Sequence, residues 1–122
     1  MNHNIAIHTE GLMRAFGKKP KDRITAVRDL NLTILQGQVF GFLGPNGAGK
    51  TTTVRMLTAL IAPTEGKAWV NGLRIGKKDQ EIRRQVGVLT ETPGLYEQLS
   101  AARNLEIFAK LYEVDDVHGA VE

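Results

Sequence analysis

The chain contains no cysteine in 122 residues, which excludes a disulfide framework and a thiolate zinc site and suits a reducing compartment. Histidine is scarce, and His3, His8 and His118 have no metal-ligand spacing, so no histidine metal centre is expected. Long apolar runs are missing as well. Nothing approaches the roughly 20 residues a membrane-spanning helix needs, and the opening MNHNIAIHTE lacks the charged-then-apolar order of a secretory signal.

What remains is the composition of a globular domain, 42% hydrophobic and 24% charged, in a chain long enough to bury a core. The net charge is +3. Basic residues bunch in GKKPKDR (17–23) and RIGKKDQEIRR (74–84); these read as solvated loop and helix faces, with nucleic acid or acidic lipid as the alternative.

Periodicity sets out the elements. IAIHTEGLMRAF, interrupted by Gly11, reads as a strand, followed by a long hairpin connection around Pro20. DLNLTI alternates, with Leu30, Leu32 and Ile34 on one face, and predicts an antiparallel partner for the first strand that ends at Gln36-Gly37. Val39 to Leu43 are apolar apart from Gly41 and predict a strand covered on both faces. From Thr51 to Ile61 the period becomes helical, with Val54, Leu57 and Ile61 on one face and Pro63 and Gly66 as stops. KAWVNG predicts a short strand and turn, DQEIRRQ a short polar helix, and VGVL another buried strand before the loop TETPG. Ser100 caps a helix running to about Tyr112, striped by Leu105, Phe108 and Tyr112. Arg103 stands where a capping box has Glu or Gln, which predicts a modest penalty at the positive end of that helix. No further strand follows, so the sheet reads as unfinished.

The chemistry is concentrated in GPNGAGKTT, residues 44–52. Gly44, four residues, then Gly49-Lys50-Thr51 match the phosphate-binding pattern between a predicted strand and a predicted helix. Glycines at 44, 47 and 49 admit backbone angles barred to other residues and let amide N–H groups approach an anion closely. Lys50 is placed to reach β- and γ-phosphate oxygens, Thr51 to hold magnesium through its hydroxyl, and Thr52 to meet the α-phosphate. A lysine in a first helical turn opposes the helix dipole unless an anion is bound.

GPNGAGKTTT, APTEG, VNG and VGVLTETPGLYEQLS…NLEIFAKLY together resemble the nucleotide-binding domain of ABC-type ATPases, especially those serving exporters, from about Ile5 to Tyr112. The resemblance implies an α/β P-loop NTPase fold of the ABC ATPase type. Its parts are an antiparallel β part (5–35), a P-loop core (39–90), and a Q-loop region with the start of the helical subdomain (91–122). Bound ATP and Mg2+ are implied, with Gly44, Pro45, Asn46, Gly47, Ala48, Gly49, Lys50, Thr51 and Thr52 as the Walker A loop. On residue type alone Phe16 is an ordinary aromatic; the resemblance puts it where the family stacks an aromatic on adenine. Glu91, otherwise a solvated loop glutamate, falls where the family usually has the glutamine that contacts magnesium and the attacking water. A carboxylate is also a hard oxygen donor, but it adds negative charge beside the γ-phosphate. Residues Thr92 to Asn104, otherwise a plain surface loop, resemble the surface that receives a coupling helix.

The implied partners are a transmembrane permease subunit and a second ATP-binding domain, with no nucleic acid expected, and the implied location is the cytoplasmic face of the membrane. Hydrolysis needs a second magnesium-holding carboxylate and a water-orienting group. No LSGGQ-like signature is present, since LSAA at 99–102 shares two letters with it; LYEVDD at 111–116 is not the family's acidic strand, and His118 is not its switch histidine. The chain therefore reads as the N-terminal part of an ABC transporter ATPase, unable by itself to hydrolyse ATP. Three other readings share the loop: a non-transport ABC ATPase of translation or DNA repair, a small P-loop kinase, and a truncated non-catalytic product. The two strands ahead of the loop weigh against the kinase.

Overall fold

A computed structural model of the chain describes residues 4–45, 47, 49–89, 95–111, 113–116 and 118–119. The alternating segments form the expected antiparallel pair, β1 (Ile5–Phe16) and β2 (Ile24–Leu35), joined through one 3-10 turn at Pro20–Asp22. Along β2 the alternation decides burial: Leu30, Leu32 and Ile34 turn inward while Asn31 and Thr33 are exposed. Gly11 marks a bulge, as a glycine inside a strand commonly does. Gly11 and Asp29 both have positive φ across from each other, and Asn31 ties the irregularity together by accepting from the Gly11 amide at 2.8 Å and donating to the Asp29 carbonyl at 3.1 Å.

β1 also pairs on its other side with β3 (Glu65–Val70), a contact the sequence did not announce. KAWVNG extends into a hairpin, because Asn71 and Gly72 both have positive φ and bring back a two-residue β4 (Leu73–Arg74). Asn-Gly is the favoured pair for such a turn. The sheet order is β2-β1-β3-β4.

Helix α1 spans Lys50–Leu57 and stops before the predicted Ile61. Its end is set by Ala59, whose φ of 59° leaves the helical region, at a cost of about 1–2 kcal/mol for a residue with a Cβ. Amides of Leu60 and Ile61 close back onto the Arg55 carbonyl, and Arg83 donates to the Ala59 carbonyl at 2.9 Å, placing a cation at the negative end of the helix. Helix α2 (Asp79–Gln85) forms as predicted and buries Ile82 completely.

The core gathers Leu12, Val27, Met56, Ala59, Ala68, Val70, Ile75 and Ile82 from β1, β2, β3, the two helices and the turns beside them. Met56, absent from the predicted helical stripe, is fully buried, whereas Val54 is 43% exposed. Of the predicted face, Leu57 and Ile61 pack against this core and Val54 alone is exposed. Val54 and Leu57 line an apolar groove of about 460 Å³ together with Leu32, Ile34, Phe40 and Phe42.

Two predicted strands are not formed. Residues 39–43 and 86–89 carry no strand pairing, and Val39 and Leu43 are almost fully exposed. A strand exists only through hydrogen bonds to a neighbour, and among the described residues neither segment has one. Val86 alone of the second segment packs on the core.

Residues 88–122 form a second compact unit. Its helix α3 (Ala101–Leu111) is capped as predicted, with Ser100 Oγ accepting from the Arg103 amide at 3.1 Å. The penalty expected of Arg103 is offset, because its guanidinium donates to Glu106 at 2.7 Å. The apolar stripe is not the anchor of this unit. Leu105 is exposed and Phe108 half-buried, whereas Asn104 is buried, accepting from the Tyr96 amide at 2.8 Å and donating to the carbonyls of Tyr96, Leu99 and Ser100. Tyr112 lies outside the described residues. Beyond α3, residues 113–116 carry no strand.

Candidate phosphate-binding site

The glycine-rich stretch leads directly into α1. Gly49 occupies the N-cap with φ 92°, and no side chain caps the helix. Ser, Thr, Asp or Asn ordinarily accepts from the first amides at this position. Here the first turn also lacks an acidic residue, so the positive end of the helix is left to a ligand from outside. Further into the helix the pairing is ordinary: the Thr53 amide and hydroxyl both donate to the Gly49 carbonyl, at 2.9 and 2.8 Å.

Two glycines are required here for different reasons. Gly47 has φ 86° and open space where a Cβ would stand, so its backbone face is free to be approached. Gly49 is crowded: a Cβ there would stand 2.3 Å from the Ala26 carbonyl oxygen and 3.1 Å from Val27. The loop is thus seated against the backbone of β2.

Lys50, the first residue of α1, turns its ammonium back to donate to the Gly44 carbonyl, closing the loop from end to start. Thr51 is exposed and Thr52 half-buried in the same turn, and Pro45 is exposed. Asn46, Ala48 and Glu91 lie outside the described residues. The Thr51 hydroxyl is a hard oxygen donor suited to magnesium shared with phosphate oxygens, and among the described residues no cluster of three or more His, Asp or Glu makes a rival metal cage. The donor set therefore fits a magnesium–polyphosphate ligand.

Phe16 ends β1 and is 43% exposed. Strand register pairs Phe16 with Ile24, Ala15 with Thr25 and Arg14 with Val27, on the stretch of β2 that includes the Ala26–Val27 backbone against which Gly49 sits. Arg14, which the sequence reading passed over, lies with its guanidinium 4.7 Å from the centre of the Phe16 ring. The signal was available, since residues i and i+2 of a strand share a face.

A family model described as "ABC transporter" matches residues 27–122. The chain belongs to the ABC transporter family. Over 105 residues it is 44% identical to the bacitracin transport ATP-binding protein BcrA of Bacillus licheniformis, covering 86% of this chain and 33% of that protein. It is 46% identical over 101 residues to the ABC transporter ATP-binding protein NatA of Bacillus subtilis, covering 81% and 40%. A dimeric structure of the ATP-binding cassette MJ0796 in a post-hydrolysis state bound to ADP and Pi superposes with a TM-score of 0.75 at 25% identity, over 87% of this chain and 47% of that one. The fold is that of the ABC ATPase cassettes, and the chain spans only a third to two fifths of the lengths of these two curated relatives. Among the described residues no helix is long and apolar enough to cross a membrane.

Proposed function

We propose that this chain supplies the Mg-ATP-binding part of an ABC transporter ATPase. The observation that carries the reading is the bare N-terminus of α1, a left-handed glycine at the cap, no capping side chain, no acid in the first turn, and a lysine at the first position. An uncapped helix start bearing a cation is unfavourable by itself and becomes favourable with a polyanion in place.

In this reading the amides of the glycine loop and of the first turn of α1 hold the polyphosphate. Lys50 exchanges the Gly44 carbonyl for β- and γ-phosphate oxygens, and Thr51 offers its hydroxyl to the metal. Magnesium, when bound, neutralises charge between the terminal phosphates. Phe16 gives the adenine ring a face to stack on, and Glu91 stands in the sequence where the family usually has the glutamine that contacts metal and water. In the complete protein a second ATP-binding domain closes the nucleotide between the two copies, hydrolysis follows, and a transmembrane permease subunit couples it to transport from the cytoplasmic side. The residues that complete hydrolysis are not in this chain, which binds without turnover.

Isothermal titration tests the assignment. Lys50→Ala is expected to weaken Mg-ATP by about tenfold to a hundredfold, the worth of a charged hydrogen bond. An affinity equal to that of the unaltered protein removes the phosphate-loop assignment.

A further inference from the structure

We infer that Arg14 is a positioning residue for nucleotide binding, fixing the Phe16 ring from behind so that its opposite face is presented to the base. The inference rests on the Mg-ATP reading above. Three observations carry it. The guanidinium lies 4.7 Å from the ring centre, within the range of a cation–π contact. The same group is anchored at its far side, where Arg14 Nη1 donates to the Ala62 carbonyl at 2.7 Å. Its Nε is buried with no hydrogen-bond partner, a cost that ordinary packing does not explain.

The neighbourhood holds the end of β1 rigidly. Thr64 accepts from the Ala15 amide at 3.0 Å, and the Thr64 amide donates to the Met13 carbonyl at 2.8 Å. The connection between α1 and β3 therefore clasps residues 13–15 and supplies the carbonyl that orients Arg14. Because α1 begins at the phosphate loop, the segment leaving that helix also sets the ring that meets the base. Arg14 blocks one face of Phe16, and a flat heterocycle has only the other to stack on.

The test uses two probes with magnesium: 2-aminopurine riboside triphosphate, whose fluorescence is quenched on stacking, and inorganic triphosphate, which has no base. Arg14→Gln keeps a polar side chain with an amide donor, too short to reach the Ala62 carbonyl, and removes the cation. It is expected to weaken the fluorescent nucleotide about threefold to tenfold and reduce its quenching, with inorganic triphosphate bound as before. Arg14→Lys is expected to restore part of the quenching. Unchanged quenching and affinity in Arg14→Gln, with both lowered in Phe16→Ala, overturns the role of Arg14 alone. Equal loss of both probes in Arg14→Gln overturns it too, by showing a general structural role. Phe16→Ala behaving like the unaltered protein removes the stacking face itself, and the inference with it.

Discussion

Two neighbouring segments on either side of Gln36-Gly37 have similar apolar content and opposite fates. DLNLTIL is a strand with Leu30, Leu32 and Ile34 turned inward; VFGFL, a few residues on, is unpaired, with Val39 and Leu43 almost fully exposed. The first has β1 to bond with along its whole length, and the second has no partner strand among the described residues. Hydrophobic pattern states what a segment can bury, but the hydrogen-bonding neighbour decides whether it becomes a strand. The phosphate loop nevertheless keeps its glycine conformations, because Gly49 is seated on β2 and Lys50 closes back to Gly44.

The contrast can be broken most strongly in α1, whose two apolar faces meet different surroundings. Met56→Ala is expected to cost about 2–5 kcal/mol by denaturant unfolding, since the side chain is fully buried. Val54→Ala, on the groove side, is expected to cost less than about 1 kcal/mol; equal losses would mean that the groove is as closely packed as the core. The same test applies to the two segments themselves. Ile34→Ala is expected to cost about 2–4 kcal/mol and Val39→Ser to stay within about 0.5 kcal/mol, and a large loss at Val39 would reveal a strand where none is paired.

The second unit sharpens the comparison, because it is organised by a polar group. Asn104→Ala leaves the Tyr96 amide without its acceptor and the Leu99 carbonyl without its side-chain donor, while the Tyr96 and Ser100 carbonyls keep backbone donors, at about 1–3 kcal/mol. Faster hydrogen exchange at Tyr96 and the first turn of α3 is the expected readout; unaltered exchange would show that the loop is held by something else. The smallest effect is at Glu106. Its hydrogen bond with Arg103, and then the Arg103 charge, hold its carboxyl below the ordinary value of 4.5. A lowered pKa contributes stability that is present above the unfolded value and lost as pH falls through the folded one. A slight loss of α3 helicity is therefore expected below about pH 4.5, absent in Glu106→Gln; the same pH response in both proteins would contradict it.

Much of this was readable in the residues. The β1–β2 pair followed from alternation, the position of α1 from GKTT, α2 from DQEIRRQ and the cap of α3 from Ser100. Three things were not legible, each for a physical reason. The β1–β3 pairing is a long-range choice that a local pattern does not encode. Ala59 ends α1 early through a backbone conformation to which alanine gives no clue. The stripe predicted for α1 was right for Leu57 and Ile61, which pack on the core, but only the tertiary neighbours distinguish the buried Met56 from the exposed Val54. At the site, the glycines and Lys50 were plain from spacing, whereas the seat of Gly49 on Ala26 and the guanidinium behind Phe16 depend on strand register.

The most direct measurement is of the backbone amides themselves, by 15N–1H correlation spectra of the protein titrated with magnesium and inorganic triphosphate. If the uncapped start of α1 is an anion cradle, the Gly47, Gly49 and Lys50 amide resonances shift in a saturable way while those of β1 and β3 stay in place. Resonances of these three amides that do not move at saturating triphosphate would contradict the account.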